Sequence, residues 1–107
     1  MAIDLETITH SWENSDGSVP NGSVTFVLNS QVEGATESTT VGTRPIIAPL
    51  VLGAISQQLV PNVNEDLSPD GSYYTAFEAI VGSTPVQYPI TVPTGGPFDL
   101  WTLREAS

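Results

Sequence analysis

The sequence predicts an all-β domain, a sandwich of about seven short strands. Nine glycines and nine prolines interrupt the chain so often that no window of a dozen residues is free of Gly, Pro or β-branched runs, which leaves no stretch suited to a long helix. The segments between these breaks alternate apolar and polar residues with a period of two. The breaks recur about every ten residues, the spacing of strands joined by turns.

The first strand is read in LETITHSW, where Ile8, His10 and Trp12 alternate with Thr7, Thr9 and Ser11. ENSDGSVPNG then supplies two turn signals, Asp16-Gly17 and Pro20-Asn21-Gly22, because Asp and Asn bond nearby backbone and Gly accepts positive φ. SVTFVLNS places Val24, Phe26 and Leu28 on one face and Ser23, Thr25 and Val27 on the other, as a half-buried strand does. From Ser30 to Thr43 the chain is polar and weakly patterned, which predicts a long loop or an exposed edge strand. RPIIAPLVLGAI is the most apolar stretch. Pro45 and Pro49 each remove a ladder donor, so it belongs at a sheet edge or a strand end. AISQQLVPN sets Ile55, Gln57 and Leu59 opposite Ser56, Gln58 and Val60, and VNEDLSPDG reads as a loop. SYYTAFEAIVG and VQYPITVP, joined by GSTP, form the last clear strand pair before a short closing element, FDLWTLREAS. Val24, Phe26, Leu28, Ile55, Leu59, Ile90 and Val92 are the expected core.

A chain of 107 residues suits one core, and residues 1–107 are read as a single domain. Only 13% of them are charged, so Ser, Thr, Asn and Gln must build much of the polar surface. Twelve acids face Arg44 and Arg104, with no lysine, for a formal net charge of -10. Such a chain repels phosphate backbones, which argues against nucleic-acid binding. The acids run from Asp4 to Glu105 without a long block, a solvated anionic surface rather than an acidic tail. Cysteine is absent, which excludes a disulfide framework and thiolate metal sites. MAIDLETITH has no basic stretch leading into an apolar core, and RPIIAPLVLGAI is too short and too broken by proline to span a bilayer. Neither a signal peptide nor a membrane anchor is expected.

Glu78 is the acid whose position raises a chemical question. It shares a face with Tyr74, Ala76 and Ile80, while Tyr73, Thr75, Phe77 and Ala79 take the other. If Phe77 marks the core, Glu78 is solvated; if Tyr74 and Ile80 mark it, the acid is buried and needs a partner. Arg44 and Arg104 are the strong cationic candidates. A catalytic acid works beside a second titrating group or a nucleophile, and the sequence shows none beside Glu78, which reads as structural. His10 is the only histidine, no G-x-S-x-G context exists, and a zinc site would have to recruit distant carboxylates. No enzyme activity, cofactor or metal is expected. ENSDGS, with Glu13, Asn14 and Asp16, and NEDLSPDGS, with Glu65, Asp66 and Asp70, carry oxygen ligands of the kind calcium prefers. Asx and Gly are also what tight turns require, and neither loop has the twelve-residue calcium-loop spacing. Trp12, Tyr73, Tyr74, Tyr88 and Trp101 could stack on a sugar or fill the core.

Two segments resemble known patterns. ITHSWENSDGSVPNGSVTF, Ile8 to Phe26, is similar to the first hairpin of transthyretin-like or peptidase-regulatory-like β-sandwiches. LSPDGSYYTAFEAIVGSTPVQYPITVP followed by FDLWTL resembles small virion proteins of tailed phages infecting actinobacteria, minor tail or other structural proteins. Pro69, Gly71, Tyr74, Glu78, Ile80, Gly82, Tyr88, Ile90, Val92, Pro93, Asp99 and Leu100 match that pattern, and Ala76 stands where a larger apolar residue is usual. The resemblance implies a single immunoglobulin-like or transthyretin-like β-sandwich and a virion structural role, as a minor tail or capsid-decoration protein.

The expected partners are then capsid or tail subunits, or further copies of the chain itself, on the outer surface of a particle assembled in the host cytoplasm. Two segments are expected to dock: the apolar edge with Ile46, Ile47 and Leu50, and the C-terminal segment with Phe98, Leu100, Trp101 and Leu103. These C-terminal residues either close the sandwich of their own domain or insert into a neighbouring subunit, and PTGGP, read as a spacer that lets the segment leave the core, favours the second. A carbohydrate- or cell-surface-binding adhesin module is the alternative, and it requires two aromatics exposed on one face. A regulatory domain cut from an enzyme is a third reading.

Overall fold

The computed structural model describes residues 5–34, 39–61, 67–68 and 72–106. The strands are β1 (Glu6–Ser11), β2 (Gly22–Leu28), β3 (Val32–Gly34), β4 (Thr39–Val41) and β5 (Ile46–Pro49), then β6 (Ala54–Leu59), β7 (Leu67–Ser68), β8 (Tyr74–Ile80), β9 (Val86–Ile90) and β10 (Phe98–Asp99). One helix, α1 (Leu100–Ala106), follows. The all-β, sandwich-like class is as expected. The strand count is higher, because the Ser30–Thr43 stretch contains two three-residue strands and two-residue strands form at β7 and β10.

Two sheets face each other. One has the order β10-β1-β6 and the other β5-β2-β8-β9, while β4-β3-β7 forms a small third sheet. Ile8, Ile55 and Leu59 from the first meet Val24, Phe26, Leu28, Tyr74, Ala76, Ile80, Tyr88 and Ile90 from the second in one core. All seven expected core residues are buried there. Alternation does this work: β2 buries Val24, Phe26 and Leu28 and turns Ser23, Thr25 and Val27 outward. Phe26 has no exposed surface, and removing so large a buried ring costs about 3–5 kcal/mol.

The apolar RPIIAPLVLGAI segment lies at an edge, as its prolines require: β5 pairs with β2 alone. It then switches sheets. Val51 and Ala54 exchange backbone hydrogen bonds around Leu52 and Gly53, both at positive φ, and β6 leaves this two-residue turn to pair with β1. Gly53 cannot be replaced cheaply, because a Cβ there would lie 2.9 Å from the Trp12 carbonyl. At Gly22, φ +145, a Cβ would sit 2.8 Å from Ile80 Cα, so the β2–β8 pairing needs glycine.

The closing element takes the less favoured of its two expected roles, closing its own sandwich. FDLWTLREAS makes the short strand β10, parallel to β1, and then α1, whose Leu100 and Leu103 are buried in the core. The segment therefore packs on its own sandwich rather than leaving it. Glu6 secures the preceding loop, its carboxylate accepting the N–H groups of Gly95 at 3.0 Å and Gly96 at 2.9 Å.

Candidate functional site

Two surfaces gather the residues that sequence reasoning singled out. The first is a cluster where α1 meets both sheets. Asp99 starts α1 as its N-cap, its carboxylate accepting the Trp101 N–H at 3.0 Å. The same carboxylate meets His10 Nδ1 at 3.0 Å, tying α1 to β1. The imidazole lies parallel to the Trp101 ring, centroids 5.0 Å apart, and edge-on to Trp12 at 4.6 Å. Arg104 lies over Tyr88 at 4.5 Å and over Trp101 at 5.2 Å, so α1 is also held to β9. Partial burial pushes the Asp99 carboxyl up, but the His10 hydrogen bond and charge, with the backbone N–H groups of Trp101 and Thr102, hold it below its usual value.

Glu78 completes this cluster from within. Tyr74, Ala76 and Ile80 mark the buried side of β8, so the carboxylate points into the sandwich. Its partner is not an arginine but the Tyr88 hydroxyl, which donates to Glu78 Oε2. Burial, then the hydrogen bond and charge of Glu78, push the Tyr88 phenol far above its ordinary value, with Arg104 pulling the other way. The arrangement is a chain of contacts from β8 through β9 to α1 and β1. His10 meets a carboxylate and two indoles, with no nucleophilic side chain among its described contacts. What this geometry does is fasten two sheets and a helix together.

The second surface is the outer face of the β5-β2-β8-β9 sheet. Its register sets Ile47, Thr25, Phe77 and Gln87 in one row, Pro49, Ser23 and Ala79 in a second, and Val27, Thr75 and Pro89 in a third. Every one is half-buried or exposed and none is charged. Within these four strands Glu78 is the one charged residue, and it points inward. Exposed Val51 and Val81 extend the apolar rim beyond the second row, next to Leu52, which is 86% exposed.

The docking candidates separate accordingly. Ile47 and Trp101 are on the surface, at 63% and 41% exposure. Ile46, Leu50 and Phe98 are half-buried against the core, and Leu100 and Leu103 are inside it, so the last two are unavailable to a partner. Helical spacing places Leu100 and Leu103 on one side of α1, and with Asp99 at the N-cap this was the signal for a core-facing helix. Ile46 also lines a cavity of about 300 Å³ with Leu28, Leu59 and Tyr74, beside Arg44. The uncharged face was the feature missed; it becomes visible only once strand neighbours are known.

In ENSDGS, the first of the two oxygen-rich loops, Asn14, Asp16 and Ser18 bond one another. Ser18 donates from its N–H and hydroxyl to Asp16, and Asn14 bonds both the backbone and the side chain of Ser18. Glu65, Asp66 and Asp70 lie outside the described residues. No group of three or more potential metal ligands occurs among the described residues, and no helix among them is long and apolar enough to cross a membrane. No protein-family model matches the chain, and no curated protein matches it.

Proposed function

We propose that this chain is a non-catalytic building block of a virion, docking on neighbouring virion proteins at the tail tip or the outer capsid surface. The observation that carries this reading is the uncharged outer face of the four-stranded sheet in a chain of net charge -10. An interface core is depleted in charge, whereas a solvated surface of this protein would carry its share of acids. The anionic remainder suits an outward position and would be a poor lining for packaged DNA. The phage assignment itself rests on the sequence resemblance to actinobacteriophage virion proteins, whose matched positions include Glu78 and Tyr88. The test is incorporation into particles. Thr25→Glu, in the middle of the face, should leave melting nearly unchanged and reduce incorporation strongly; unchanged incorporation would remove this face from docking.

One observation favours a second reading, a carbohydrate- or cell-surface-binding module. Tyr73 and Phe77, 40% and 38% exposed, lie on the same side of the β8 strand path, among neutral hydrogen-bonding side chains. Trp101 contributes less, since His10 and Arg104 already lie against its ring. Loss of polysaccharide retention in both Tyr73→Ala and Phe77→Ala, with normal particle incorporation, would favour this reading over docking.

A further inference from the structure

We infer that the uncharged sheet face is a self-association surface, covered by the same face of a second copy in a two-fold, sheet-on-sheet pair. The inference rests on reading that face as a protein interface and names its occupant.

Charge supports self-pairing at this place. Two chains of net charge -10 repel wherever their acids approach. At this face Thr25, Ile47, Phe77 and Gln87 meet their counterparts with no like charge between them. The described acids are off this face: Glu6 and Asp99 belong to the opposite sheet, Glu13 and Asp16 to the loop after β1, Glu33 to the small sheet and Glu105 to α1, while Glu78 points inward from β8. Packed sheets are about 10 Å apart, and screening at physiological salt falls off over about 8 Å. Residual repulsion across the pair is therefore weak, and salt weakens it further.

Proline supports closure. The two edges of this sheet are β5, flanked by Pro45 and ending in Pro49, and β9, interrupted by Pro89. Each proline removes a donor, so growth by adding strands at either edge is blocked. For this sheet the face is the remaining route, and a face-to-face pair uses it up on both copies.

Area sets the strength. Four strands of four to seven residues, about 4.8 Å apart and rising about 3.4 Å per residue, cover on the order of 400 Å² of flat sheet. Side-chain relief and the Val51–Leu52 rim enlarge this toward, but not beyond, the roughly 800 Å² per partner of a standard interface. The pair is thus a weak, concentration-dependent dimer.

Sedimentation equilibrium of the purified chain, across protein concentration and at low and high salt, tests this. The expected result is a monomer–dimer equilibrium that tightens as salt rises. Thr25→Glu and Ile47→Glu should each weaken it about tenfold or more, since each places like charges in the contact. Ser56→Glu, on exposed β6 of the other sheet, should change it little. Circular dichroism melting of each variant confirms that it is folded. A monomer at every concentration and salt, a dimer indifferent to Thr25→Glu and Ile47→Glu, or one that loosens with salt overturns the inference. A monomeric chain whose Thr25→Glu variant still fails to enter particles would sink self-association while leaving the docking role standing.

Discussion

Glu78 and Tyr88 depend on each other because both are out of water. The phenol donates to the carboxylate in the core, and Arg104 lies over the same Tyr88 ring. Tyr88→Phe keeps the ring and its arginine contact but leaves a buried carboxylate without that donor, which costs about 1–3 kcal/mol. Glu78→Gln retains an acceptor for the phenol and should cost less, so urea midpoints should fall in the order wild type, Glu78→Gln, Tyr88→Phe. Leu52 presents the opposite case, a residue whose own energetics are poor. It holds φ +53 in the sheet-switching turn and is 86% exposed, and left-handed backbone costs a bulky L-residue about 1–2 kcal/mol. Leu52→Asn should therefore raise the melting temperature of the free domain. If it lowers stability, the exposed leucine is making a contact that the turn geometry does not reveal.

At the scale of elements, α1 is the piece held by side chains rather than by a ladder. Seven residues are too few for an isolated helix to persist in water. Its stability comes from Leu100 and Leu103 in the core, from the Asp99 cap and from the His10 and Arg104 contacts. Asp99→Ala removes the cap and the His10 contact together and should cost about 1 kcal/mol. The pH dependence has a definite sign. The Asp99 carboxyl is held below its usual value in the folded chain, so its contribution is present above about pH 4, the unfolded value. It is lost as pH falls through the lower folded value. Acid titration of melting temperature should therefore be shallower in Asp99→Ala than in the wild type, and parallel curves would show that the cap carries no charge-dependent stability.

At the scale of the molecule, one core joins both sheets, and its two buried phenols give it an alkaline limit. Burial pushes Tyr74 up to about 12, its hydroxyl donating to the Val60 carbonyl, and Tyr88 is displaced in the same direction. An unfolded tyrosine ionises near about pH 10. Above that value the unfolded chain has released protons that the folded chain still holds, so rising pH favours unfolding. Stability should be intact below about pH 10 and fall steadily toward pH 12, with Tyr74 and Tyr88 becoming tyrosinate as the fold is lost. Their reversible ionisation near pH 10, with circular dichroism unchanged, would contradict their burial.

Period-two alternation by itself determined the β class, the inward sides of β1, β2 and β6, and the seven core residues, because one buried face leaves strand register little freedom. Pro45 and Pro49 likewise placed β5 at an edge. Three things needed the tertiary structure. The side of β8 that faces inward was ambiguous in sequence, since Tyr74 and Phe77 are both apolar candidates, and packing against the other sheet resolved it and gave Glu78 its Tyr88 partner. The closing segment read as a spacer-linked docking arm, yet a short helix is decided by the core it meets rather than by propensity. The uncharged face joins residues from four strands far apart in sequence, and strand pairing alone makes Ile47, Thr25, Phe77 and Gln87 neighbours. Local pattern determines which way a side chain points; which other side chains stand beside it is a non-local fact, written only when the strands pair.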